Sequence, residues 1–135
     1  MALQEVFSHK LANLYFDSEK SYFEERWKTD TEQATDEDFM SYQYEKIEVA
    51  KQCLPKLFLC DTRDFRYVIT IEMQEWTDKV VMGFWDSSTL EKLAFLMSSE
   101  LVSQLSIEQA MDETTHKYPI HYFGNEKEAI EWLNR

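Results

Sequence analysis

The hydrophobic and polar positions of this chain alternate between short apolar runs and longer segments with helical spacing. Residues 57–60 and 93–97 are uninterrupted apolar runs. Runs of this length, rich in bulky side chains, are typical of strands that are covered on both faces, as central parallel strands are. In open α/β sheets, ligands and partners tend to meet the carboxyl ends of such strands. We therefore expect any site to lie just after residue 60.

Near the N-terminus the pattern changes to an alternation with period two. Residues 11–17 alternate between apolar and polar positions, and residues 22–28 place Phe23 and Trp27 on one face. With a turn at residues 18–19, the two segments predict an antiparallel hairpin. The residues before position 11 either extend the first strand or form a short additional one.

Segments with helical spacing follow, and each begins at a capping residue. Thr35 with Asp38 forms a capping box for a helix that ends before Pro55, Thr70 caps a second helix, and Asn125 with Glu128 opens the last one. The side chains predicted to be buried are Met40, Tyr44, Ile47 and Leu54 with Phe39 and Ala50 in the first helix, Met73, Trp76, Val80 and Phe84 in the second, and Ala129, Ile130, Trp132 and Leu133 in the last.

A third helix and a short strand complete the pattern. Ser98 or Ser99 caps the helix, which carries Leu101, Val102 and Leu105, and the strand at residues 120–123 follows Pro119. The order is β-β-α-β-α-β-α-β-α. Strands that alternate with helices after an initial hairpin predict one α/β domain over residues 1–135, in which amphipathic helices pack on a single mixed sheet that is parallel in its later part.

Composition narrows the class of function. The net charge is −12, and an acidic surface repels phosphate backbones and anionic headgroups, so we expect no nucleic acid partner. No apolar run approaches the roughly 20 residues of a membrane span, and no signal-like segment opens the chain, so we expect no membrane insertion. Cys53 and Cys60 both lie among apolar residues, which fits a reducing cytoplasm better than a disulfide scaffold.

The motifs of common catalytic and cofactor sites are absent from the sequence. With two glycines, the chain has no phosphate-binding glycine loop, and His9, His116 and His121 stand in no metal-binding spacing. Cys60, near the end of a central strand, is the one candidate nucleophile, but no histidine base is assigned to its neighbourhood. We therefore expect no enzyme activity, no cofactor and no metal.

Charged residues follow the first apolar run at once. Asp61 and Asp64 alternate with Arg63 and Arg66. They either form a salt-bridge network that holds a loop or provide the polar rim of a contact site. The candidate contact region comprises Asp61, Thr62, Arg63, Asp64 and Arg66 with the start of the next helix, Thr70 and Gln74. Trp85, which lies near a helix end after Gly83, is a candidate for an exposed aromatic anchor.

Three stretches resemble one family of small bacterial proteins. They are LFLCDTRDFR with a QEW helix after it, KLAFLMSSELVSQLSIEQAM, and the terminal YFGNEKEAIEWL. Their succession is similar to that of the STAS-like group, proteins akin to the sporulation anti-sigma-factor antagonists. Asp61 and Arg63 correspond to the D-x-R after the central strand of that group, residues 93–111 to its next strand and helix, and Phe123, Glu128, Ala129, Trp132 and Leu133 to its closing helix.

The resemblance implies an α/β sheet with amphipathic helices and no catalysis. In STAS domains a phosphorylated hydroxyl at a helix N-terminus breaks a protein–protein contact; the nearest position here is Thr70, although the aspartate and glycine of that turn are missing. We expect a cytoplasmic regulatory module that binds a protein partner, with a homodimer as one form of that contact. The alternative is a carrier or sensor of a small apolar, lipid-like ligand held between helices and sheet, by analogy with the lipid-carrying CRAL-TRIO fold.

Overall fold

The protein is an α/β fold built on a single mixed sheet. The computed structural model describes residues 3–98 and 116–135. The strands within these residues are β1 Gln4–Ser8, β2 Ala12–Asp17, β3 Tyr22–Trp27, β4 Leu57–Asp61, β5 Lys92–Leu96 and β6 Ile120–Phe123. They lie side by side in sequence order. Strands β1 to β3 are antiparallel, and β3 to β6 are parallel. The predicted mixed sheet is confirmed, and β1 is the additional N-terminal strand that the pattern left open.

The helices are α1 Asp36–Cys53, α2 Ile71–Thr77, α3 Gly83–Asp86 and α4 Glu126–Leu133, with a 3₁₀ turn at Thr29–Gln33 and a π-helical turn at Asp78–Met82 between α2 and α3. The three predicted caps are confirmed: the side chains of Thr35, Thr70 and Asn125 each accept a hydrogen bond from a backbone N–H three residues later. The predicted third helix, over residues 101–105, lies outside the described residues. None of the described helices has the length and apolarity that crossing a bilayer requires.

Strand β4 is the interior strand that its apolar run predicted. It pairs with β3 on one side and with β5 on the other. Because side chains alternate along a strand, Phe58 and Cys60 point to the face that packs on α1, α2 and α3, whereas Leu59 points to the opposite face with α4. We refer to these as the α1 face and the α4 face of the sheet.

The buried side of α1 differs from the prediction. Tyr44 and Leu54, predicted as buried, are exposed, and Leu54 is the left-handed residue that ends the helix before Pro55. The buried side chains are Phe39, Tyr42, Gln43, Lys46, Ile47 and Ala50. Phe39, Ile47 and Ala50 are buried as predicted. The apolar positions alone did not give the rest of the buried side, because it also carries a lysine and a glutamine.

The second helical segment shows the same kind of shift. Val80 and Phe84 were predicted as buried, but the fully buried residues are Val81 and Trp85. The π-helical turn inserts one extra residue, so every later side chain moves one position around the helix. Trp85 is therefore not the exposed aromatic that the sequence suggested; its ring lies 4.7 Å from that of Phe58 in the core.

The last helix follows its prediction closely. Ala129 and Leu133 of α4 are fully buried against the α4 face, whereas Ile130 and Trp132 are only partly covered. The helix therefore covers β4 and β5 with a narrow apolar stripe.

Candidate functional site

A pocket of about 160 Å³ lies between the α1 face of the sheet and the helices packed on it. We call it the central pocket. It lies toward the carboxyl ends of the parallel strands, where the sequence predicted a site. Its walls are mainly aromatic and aliphatic side chains, which include Trp27, Phe39, Phe58, Phe65, Val81 and Trp85.

One wall of the central pocket carries a buried ion pair. Lys46 of α1 is 3% exposed and Glu25 of β3 is 0% exposed, and Lys46 Nζ lies 3.0 Å from Glu25 Oε2. The Tyr42 hydroxyl donates to the same oxygen at 2.7 Å, and the Cys60 thiol donates to Glu25 Oε1 at 3.2 Å. Burying two charges is costly unless each also finds hydrogen-bond partners, and Glu25 has three.

The two neutral donors to Glu25 stay protonated at neutral pH. Burial, reinforced by the Glu25 carboxylate, raises the pKa of Tyr42 and of Cys60 well above their ordinary values. A nucleophilic cysteine needs a low pKa and some exposure, whereas Cys60 is buried and holds its proton. The thiol therefore serves Glu25 as a hydrogen-bond donor in the geometry seen here.

Gln43 contributes a polar atom without a partner. It lies on α1 one turn before Lys46, lines the central pocket and is 3% exposed. Its Oε1 is buried and accepts no hydrogen bond from any described residue. An orphaned buried acceptor carries a desolvation penalty, and the large majority of buried side-chain polar atoms avoid it. Gln43 therefore places an unpartnered buried acceptor in the wall of the pocket.

A loop after β4 forms one side of the central pocket. Phe65 packs edge-on against Trp27, and Tyr67 stacks on Phe39 with ring centroids 4.6 Å apart. The loop is pinned by its backbone, because the N–H of Arg66 donates to the buried Thr31 hydroxyl at 2.8 Å. These contacts hold the aromatic ring of Phe65 over the pocket.

The predicted contact region is divided between the two faces of the sheet. Asp61 and Arg63 turn to the α4 face, where the guanidinium holds both carboxylate oxygens, at 3.0 and 2.8 Å. Arg63 also reaches Glu126 of α4 at 3.2 Å. For this pair the salt-bridge alternative describes the geometry, and the hydrogen bonds that Arg63 donates to Asp61 raise the pKa of Arg63. Thr62, by contrast, lines the central pocket.

The remaining predicted residues lie at the surface. Asp64 and Arg66 are exposed and form no ion pair with another described residue, Gln74 is exposed, and Thr70 caps α2. Between them the loop exposes Val68 at 81% and Ile71 at 78%. The structure therefore does not gather the seven residues into one site.

Sequence reasoning missed Glu25, Gln43 and Lys46. The signal for Glu25 was present, because it alternates in phase with Phe23 and Trp27 and must share their buried face. Lys46 follows Tyr42 by four residues and Phe39 by seven, which places it on the same side of α1. None of the three was among the residues that the sequence predicted for the site.

The histidines lie apart from the central pocket. His116 pairs with Asp86 at 2.8 Å and His9 with Glu45 at 3.3 Å. No set of three or more His, Cys, Asp or Glu side chains in residues 3–98 and 116–135 is arranged to hold a metal ion.

Comparison of the chain with protein-family models, curated proteins and solved structures gave no match.

Proposed function

We propose that this protein is a non-enzymatic binding module that holds a small, mostly apolar molecule in the central pocket, as a carrier or as a sensor. The observation that supports this proposal is the pocket itself, a cavity of about 160 Å³ with mainly aromatic and aliphatic walls at the carboxyl ends of the central strands. Apolar pockets that carry a few convergent polar groups are the usual form of small-molecule sites.

The volume favours a compact ligand over a long acyl chain. A cavity of about 150 Å³ lined by apolar side chains admits one benzene ring, whereas drug-sized ligands occupy pockets of roughly 300 Å³ or more. Within the lipid-like class that the sequence suggested, a single ring or a short branched chain fits best.

A cavity-filling substitution tests this proposal. Val81 is buried and lines the central pocket, so Val81→Phe should abolish binding of benzene, toluene or indole, measured by ligand-observed NMR and by the fluorescence of Trp27 and Trp85. Val80→Phe, at the half-exposed neighbouring position outside the pocket, is the matched control and should bind as the unmodified protein does.

If Val81→Phe fails to fold, binding of the three rings to the unmodified protein is the test of the proposal. Failure of all three rings to bind to it would overturn the proposal. Equal binding by Val81→Phe and Val80→Phe would show that the rings bind elsewhere, which would also overturn it.

A second function, contact with a protein partner, is favoured by the exposed apolar side chains beside the pocket. Val68, Ile69 and Ile71 are all exposed, and Arg66 next to them is exposed without an ion pair in the described part of the chain. We propose a partner that covers these residues with an apolar patch and offers a carboxylate to Arg66. A second copy of this chain is an alternative occupant.

Capture from the source cell tests the contact. A partner should be retained by the unmodified protein and by Val6→Ser, which removes an exposed apolar side chain on β1, and lost with Ile71→Ser. The retained partner should also lose affinity with Arg66→Ala. Retention by Ile71→Ser would contradict this site, and a dimer in sedimentation that Ile71→Ser dissociates would assign the surface to self-association.

Two further statements come from the sequence and stay predictions. Membership of the STAS-like group is supported by the mixed sheet with its parallel later part and the helices packed on it, and it stays a prediction. The cytoplasmic location, inferred from two unpaired cysteines, stays a prediction as well.

A further inference from the structure

We propose that the ligand of the central pocket is a neutral, single-ring compound with one hydroxyl group, the class of which phenol is the simplest member. This inference rests on the proposed function and adds the chemistry of the ligand. The hydroxyl donates to Gln43 Oε1 and accepts from the ammonium of Lys46, while the ring lies among the aromatic walls.

The first step is the unpartnered acceptor. Gln43 is buried and lines the pocket, and its Oε1 receives no hydrogen bond from the described residues. A ligand that brings an O–H or N–H donor removes the penalty of that orphaned oxygen, whereas a purely apolar ligand leaves it in place. The pocket therefore discriminates in favour of a donor.

The second step is the lysine. An ammonium has three N–H donors, and Lys46 uses its ion pair with Glu25 as its one charged contact among the described residues. Its Nζ lies 5.6 to 5.9 Å from the ring centroids of Trp27, Tyr42 and Phe58, so it faces the aromatic walls. Of the common small polar groups, a hydroxyl both donates and accepts, and so it can satisfy Gln43 and Lys46 together.

The third step is the balance of charge. Glu25 and Lys46 offset each other, and Tyr42 and Cys60 carry their protons, so the polar wall that the described residues form has no net charge to offer an ion. A carboxylate or an ammonium would lose its hydration in an aromatic pocket without a counter-charge. Benzoate, with the same ring as phenol, is therefore excluded by its charge.

The size of the pocket limits the ring. About 160 Å³ accommodates one six-membered ring with a small substituent. The hydroxyl adds a single heavy atom to a ring that already fits.

The experiment compares benzene, phenol and benzoate on the unmodified protein, on Gln43→Leu and on Gln52→Leu by titration calorimetry. Gln52 is the matched control, because it is an exposed glutamine on the same helix. We expect phenol to bind the unmodified protein and Gln52→Leu at least about tenfold more tightly than benzene does, as one recovered buried hydrogen bond implies. Gln43→Leu should lose that advantage and bind benzene no worse.

The outcomes separate this inference from the proposed function. Failure of all three compounds to bind would overturn both. Binding of benzene as tight as that of phenol, or a phenol advantage that survives Gln43→Leu, would overturn the hydroxyl inference and leave a ring-binding pocket. If benzoate binds more tightly than phenol, the inference that the ligand is uncharged is overturned. If Gln43→Leu does not fold, the three affinities of the unmodified protein decide the question.

Discussion

At the scale of single residues, the Glu25–Lys46 pair is the most unusual feature of the core. Both side chains are almost completely buried, although charged residues rarely are. Their attraction is opposed by the cost of removing two charges from water, so the pair adds little net stability. Removing one partner of the pair is strongly destabilising, because the remaining charge is then buried among aromatic side chains without a counter-charge.

A double-mutant cycle tests this reasoning. Lys46→Met should lower the free energy of unfolding by about 3–5 kcal/mol, because the Glu25 carboxylate stays buried without its cation. Adding Glu25→Gln should recover most of that loss, since glutamine keeps an acceptor for the Tyr42 hydroxyl and carries no charge. Urea unfolding of the two single variants and the double variant measures the coupling.

The control for this cycle lies on the same helix. Lys51 pairs with Glu48 at the surface, so Lys51→Met should cost less than about 1 kcal/mol. A loss in Lys46→Met that is no larger than in Lys51→Met, or a double variant whose loss is the sum of the single ones, would contradict the account of the pair.

At the scale of elements, the strands and helix starts were predictable because their signals are local. The capping box at Thr35 and the apolar run of β4 depend on neighbours in the chain, and both are confirmed. The buried side of each helix depends on what packs against it. The π-helical turn at Asp78–Met82 is such a case, since it moves burial from Val80 to Val81.

The candidate site likewise has features that the sequence predicts and features that depend on the folded structure. Its position at the carboxyl end of β4 follows from the topology of α/β sheets and was predicted. Asp61 and Arg63, two of the predicted contact residues, lie away from the central pocket, because strand alternation turns Asp61 to the face opposite Cys60. The polar wall itself combines a strand and a helix that only the fold brings together, as Glu25 and Lys46 are 21 positions apart.

At the scale of the whole molecule, the titration of buried groups should make stability fall in alkaline solution. The folded state holds the protons of Cys60 and Tyr42 more tightly than the unfolded chain does, because burial and Glu25 raise both pKa values. Above the ordinary thiol pKa of 9.0, the unfolded chain releases a proton that the folded state keeps. The contribution of these groups to stability is therefore fully present below pH 9 and is lost as the pH rises further.

The slope of this loss identifies the group. One proton held only by the folded state lowers the free energy of unfolding by about 1.4 kcal/mol per pH unit. Cys60→Ala should therefore flatten the profile of urea midpoints between pH 9 and 10, below the ordinary tyrosine pKa of 10.0 at which the buried Tyr42 begins to contribute, even if it lowers the midpoint at pH 7. Cys53→Ala, which removes a half-buried thiol, should keep most of the original slope. The net negative charge of −12 grows at high pH, and the repulsion among these charges destabilises every variant alike. If Cys60→Ala shows the same slope as the unmodified protein, the loss of stability comes from that repulsion and not from the buried thiol.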